Sequence, residues 1–92
     1  MNRKEKIILV FYLIICRSLT YAQRTAKVLE RAGISAIVMR PPVKIPEKGC
    51  VYCVKISEKR LREALIALNN AGMSHGKIYI LYADGSGAEV KP

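Results

Sequence analysis

Ten consecutive apolar residues, Ile7-Ile-Leu-Val-Phe-Tyr-Leu-Ile-Ile-Cys16, stand near the start of the chain, and what they become constrains everything downstream. The run is too short to cross a bilayer as a helix, which needs about 20 residues. Preceded by Arg3, Lys4 and Lys6 and followed by Leu19-Thr-Tyr-Ala22, it has the outline of a secretory signal peptide, and Leu13-Ile-Ile-Cys16 mimics a lipoprotein cleavage box. Its composition argues the other way. Ile7, Ile8, Val10, Phe11, Tyr12, Ile14 and Ile15 are β-branched or aromatic, as in a central strand buried on both faces. Cleavage here would also delete an element that the rest of the fold needs, so the run is read as the first strand.

The pattern then changes period. Leu19, Ala22, Ala26 and Leu29 recur at helical spacing while Gln23, Arg24, Lys27, Glu30 and Arg31 take the opposite side, which predicts a helix from Ser18 or Thr20 to Ala32. Thr20-x-x-Gln23 has capping-box spacing, Ser18 is a rival cap, and Gly33 is placed to close the helix in the left-handed conformation. Ile34 to Met39 reads as a short strand, stopped where Pro41 and Pro42 remove two backbone donors in succession. The connection over residues 40–49 holds Pro41, Pro42, Pro46 and Gly49 and is longer than a tight hairpin. A strand from Cys50 to Ile56 follows. Ser57 then caps a helix carrying the apolar stripe Leu61, Ala64, Leu65, Leu68 and Ala71, with Lys59 and Glu63 spaced to pair, and Lys77 to Tyr82 forms the last strand.

Strand, helix, strand, strand, helix, strand is the order, and Ala32-Gly-Ile-Ser35 and Ala71-Gly-Met-Ser74 link each helix to its following strand. Two similar halves joined by right-handed crossovers predict an α+β fold: a ferredoxin-like βαββαβ sandwich, its four-stranded antiparallel sheet covered by two helices on one face. An apolar share of 51% in 92 residues is enough for one modest core. One domain over residues 1–82 is therefore expected, with residues 83–92 a flexible tail because they hold too little apolar surface to pack. Three cysteines cannot all pair internally, which points to a reducing, cytoplasmic setting.

Few reaction classes survive inspection. There is no glycine-rich phosphate loop, and no Ser-His-Asp set or carboxylate pair is suggested by spacing. Zinc would need four ligands, and beyond Cys50 and Cys53 only Cys16 and His75 are on offer, so neither a metal nor a cofactor is expected. Catalysis would rest on cysteine. Cys50-x-x-Cys53 invites that reading, yet residues three apart on a regular strand face opposite sides, so the thiols meet only if Cys50 still belongs to the turn. Cys53 is a core residue or a partner thiol. Cys50, after Gly49 and near Arg40, Lys44, Lys48 and Lys55 in sequence, is either an inert buried thiol or one whose thiolate the cations favour, able to carry a persulfide or selenide.

A formal charge of +9 gives the surface a positive potential, which admits nucleic acid or an acidic protein as partner. Phe11, Tyr12 and Tyr52 are rings that could stack bases on central strands, but no Lys/Arg-Gly-Phe/Tyr-Gly/Ala-Phe run accompanies them. An uncovered sheet face or edge strand would also suit a homodimer.

Residues 18–80 resemble the selenium/sulfur (Se/S) carrier protein-like family of small bacterial domains. The likeness lies in Ser18-Leu-Thr-Tyr-Ala22, Leu29-Glu-Arg-Ala-Gly-Ile34, the loop Arg40-Pro-Pro-Val-Lys-Ile-Pro46 and the Gly49-Cys50 that starts a strand. Cys50 matches the family's cysteine and Ile45 its aliphatic loop residue; Pro46 stands where Ser is frequent, and Val51 where glycine usually follows the cysteine. The resemblance implies a chalcogen carrier with Cys50 as carrying residue, a cysteine desulfurase-type donor and an acceptor protein as partners, and Cys53 as a candidate resolving thiol.

Overall fold

The computed structural model describes residues 10–42 and 51–90. Five strands and two helices follow in the order β1 (Phe11–Cys16), α1 (Leu19–Arg31), β2 (Ile37–Met39), β3 (Tyr52–Ser57), a 3₁₀ turn (Glu58–Arg60), α2 (Leu61–Asn70), β4 (Ile78–Leu81) and β5 (Gly87–Val90). All strand pairs are antiparallel, and the sheet order is β2-β3-β1-β4-β5. The first four, β2-β3-β1-β4, keep the order expected of a split βαβ pair. The strand count differs: there are five, not four.

β1 is central. Leu13 and Ile14, neighbours that point to opposite faces, are both 0% exposed, so residues 13–16 of the apolar run are buried on two sides as its composition predicts, while its residues 7–9 lie outside the described residues. On one face Ile14 and Cys16 of β1 and Val54 and Ile56 of β3 pack against Ala22, Ala26 and Leu29 of α1 and against Ala64 and Leu68 of α2. Small alanines at the helix contacts let both helices approach the sheet closely. Leu13, Ile15, Cys53 and Tyr79 form a second cluster on the opposite face, with Met39, Val51 and Leu81 against it.

Local signals set the helix ends. Ser18, not Thr20, caps α1: its backbone is extended and its hydroxyl oxygen accepts the Tyr21 N–H at 3.1 Å. Gly33 follows with φ +83°, where a side chain would be strained, and the Ile34 N–H reaches back to the Leu29 carbonyl at 2.9 Å. Ser57 caps the 3₁₀ turn that leads into α2, accepting from the Lys59 N–H at 3.4 Å. The helical pair is Arg60 with Glu63 rather than Lys59 with Glu63, because the 3₁₀ turn winds three residues per turn and rotates Lys59 away.

The fifth strand comes from the segment expected to be a flexible tail. Leu81 pairs with Gly87 and Ile78 with Val90 across a turn closed by Gly85 N–H to the Tyr82 carbonyl at 3.0 Å and Tyr82 N–H to the Ser86 carbonyl at 2.8 Å. Gly85 sits at φ +92°, and the Asp84 carboxylate accepts from both the N–H and the hydroxyl of Ser86, at 2.8 and 2.6 Å. An edge strand needs backbone partners more than apolar side chains, so low hydrophobicity did not prevent pairing. The Asp84-Gly85 dipeptide was the available signal.

Candidate functional site

The end of the sheet where β1 hands over to α1 carries a cleft of about 450 Å³. Cys16, Arg17, Ser18 and Tyr21 line one side, and Ser74, His75 and Gly76 the other. The Tyr21 hydroxyl donates to the Ser74 carbonyl and ties the start of α1 to the connection before β4. A β-carbon at Gly76 would stand 2.5 Å from the Ile15 carbonyl oxygen, so only glycine admits this approach. No acidic residue occupies the first turn of α1, whose end is electropositive, and Arg17 is exposed beside it. Sequence reasoning missed the cleft, because its two walls lie more than fifty residues apart and share no motif; Ser18 as a cap, and Cys16 and His75 considered singly as ligands, were its legible elements.

β3 starts at this same end. Tyr52 pairs with Cys16, and the described run opens at Val51, the residue after Cys50 in sequence. Cys50, Lys44 and Lys48 lie outside the described residues. The other three candidates do not form one group. Arg40 stands over the Tyr52 ring, 5.0 Å from its centroid, at the end of β3 that enters from position 50. Lys55 is three residues further along β3 than Tyr52, about 10 Å away at strand rise, where its ammonium lies 4.6 Å from the Phe11 centroid. A set that looked continuous in sequence is thus divided along an extended strand.

Cys53 points to the face away from the helices and is fully enclosed among Leu13, Ile15 and Tyr79. Burial pushes its thiol up to about 12, the neighbouring Cys16 adds to this, and Lys55 offsets part of it. Cys16 faces the helices, its thiol also raised by burial while Thr25, within 3.9 Å, works against the rise. Neither sulfur is poised as a thiolate near neutral pH, and the packing role that the sequence left open for Cys53 is the one its surroundings support.

The rings considered for base stacking are also engaged. Tyr12 and Tyr52 pack against the helix-side core, Tyr52 carries Arg40, and Phe11 carries Lys55. Among the described residues no three His, Cys, Asp or Glu side chains gather as a metal site would require, and no helix is long and apolar enough to cross a membrane.

A small α+β domain with helices on one sheet face and a basic-flanked strand start is the class that these features define. Residues 11–80 match the family model described as "Putative Se/S carrier protein-like", and the chain belongs to that family. Neither the curated proteins nor the solved structures gave a match.

Proposed function

We propose that the protein is a cytoplasmic selenium or sulfur carrier whose working atom is the Cys50 sulfur. The observation that carries this reading is the position of the β3 start: Val51 and Tyr52 lie at the electropositive end of the sheet, beside the start of α1, with Arg40 held over Tyr52. Positive potential of this kind favours thiolate over thiol in a cysteine exposed to it. Family membership over residues 11–80 supports the same chemistry by its description.

Transfer needs no oxidant. The Cys50 thiolate attacks the outer sulfur of a persulfide on a cysteine desulfurase-type donor; a new sulfur–sulfur bond forms, the donor's bond breaks, and the donor cysteine leaves as thiolate. Selenium follows the same course. An acceptor's nucleophile then takes the outer atom and Cys50 returns to thiolate. Cys53 contributes packing rather than resolution, since its thiol is enclosed and keeps its proton.

Incubation of the reduced protein with a desulfurase and cysteine, followed by intact mass measurement, tests the proposal. Wild type and Cys53→Ser are expected to gain one sulfur atom per chain and Cys50→Ser none. Absence of added sulfur on wild type, or equal loading of Cys50→Ser, would refute it.

A further inference from the structure

A second concave surface lies toward the other end of the sheet, where β3 runs into the 3₁₀ turn. It is a groove of about 340 Å³ whose lining includes Phe11, Ile37, Lys55, Ser57, Lys59 and Arg60. Ile37 pairs in register with Lys55, and Phe11 with Ser57, so these side chains share the face away from the helices. Ile37 is 53% exposed, a large aliphatic surface on a strand whose sole neighbour among the described residues is β3. Edge strands of this kind usually carry charge or cover, because an apolar edge with open N–H and C=O groups recruits another strand.

Charge around the groove selects what that strand should look like. Arg60 is paired with Glu63, whereas neither Lys55 nor Lys59 has a carboxylate partner among the described residues. We propose that the groove and the outer edge of β2 form a docking site for an acidic, extended segment of a partner protein. The segment adds as a strand beside β2, seats an aliphatic side chain on Ile37 and turns its carboxylates toward Lys55 and Lys59. An added strand would lie two strand spacings, about 10 Å, from β3, a gap that Lys55 bridges only by leaving the Phe11 ring and meeting a glutamate side chain part-way. Nucleic acid fits less well: the Phe11 face that a base would stack on already carries the Lys55 ammonium, and exposed apolar edge surface offers nothing to a phosphate backbone. This site goes beyond the carrier reading and makes no use of Cys50.

Titration of the isotope-labelled full chain with a synthetic peptide of alternating Glu and Val, followed by amide chemical shifts, tests the proposal. An alternating Lys-Val peptide and an oligouridylate of equal length run in parallel. Saturable shifts at residues 37–39 and 55–59 are expected with the Glu-Val peptide alone, weakening as salt screens the lysines. Ile37→Asp and Lys59→Glu, both at exposed positions, are each expected to weaken binding about tenfold while leaving the fold intact. Cys50→Ser is expected to bind as wild type does, which separates failure here from failure of the carrier reading. No saturable shift, shifts confined to other residues, wild-type binding by both groove variants, or tighter binding of oligouridylate at the same amides would each overturn the proposal.

Discussion

Cys53 and Lys55 are two residues apart on β3 and share a face, yet the ammonium lowers the thiol less than burial raises it. The consequence for stability follows from counting protons. An unfolded thiol ionises near its ordinary value of 9.0 while the folded one holds its proton to about 12, so between these limits the unfolded state binds fewer protons. Stability from this group is therefore full below pH 9 and falls, by up to about 1.4 kcal/mol per pH unit, as pH rises above it. Urea midpoints of wild type and Cys53→Val, compared from pH 7 to 11 under reducing conditions, isolate that slope from other alkaline titrations. Parallel curves would show that Cys53 is not the buried acid.

At the scale of elements, the β4–β5 hairpin depends on one turn and on backbone pairs, since Gly87, Ala88 and Glu89 are exposed. Hydrogen bonds from the Ser86 hydroxyl and then from its backbone N–H hold the Asp84 carboxyl below its ordinary value of 3.8. A depressed carboxylate contributes above its unfolded value and ceases to contribute as pH falls through the folded one. Acidification below about pH 4 is expected to fray β5 first. Cross-strand contacts between β4 and β5, followed by NMR, should weaken while those between β1 and β3 persist, and Asp84→Asn should fray less on acidification. Simultaneous loss of both sets would mean that the hairpin is not a separable unit. The dipeptide that forms this turn stood in the sequence, but a preference for apolar content hid it; an edge strand three-quarters exposed looks like a tail until its partner is known.

For the molecule as a whole, stability converges on the helix-side core. Leu29 is fully buried there with Ile14, Val54 and Leu68, so it joins α1 to the two central strands and to α2. Leu29→Ala is expected to cost about 3 kcal/mol, against a total of about 5–15 kcal/mol for a domain of this size. Chemical denaturation should show a lower midpoint with an unchanged slope; a loss under about 1 kcal/mol would argue that the core relaxes into the space. Local periodicity made this architecture readable: residues 11–16 of the apolar run became the central strand, the stripe Leu19-Ala22-Ala26-Leu29 became α1, and Gly33 took the positive φ that ends a helix. These features are short-range, each set by residues within a few positions of one another. The chemistry was not of that kind. Whether Cys53 was enclosed, whether Arg40 and Lys55 stood together, and whether residues 17–21 met residues 74–76 depended on which strands became neighbours and which face each side chain took. Those outcomes arise from pairings between distant segments, where one residue of register moves a side chain from core to solvent, and no local pattern in the chain encodes them.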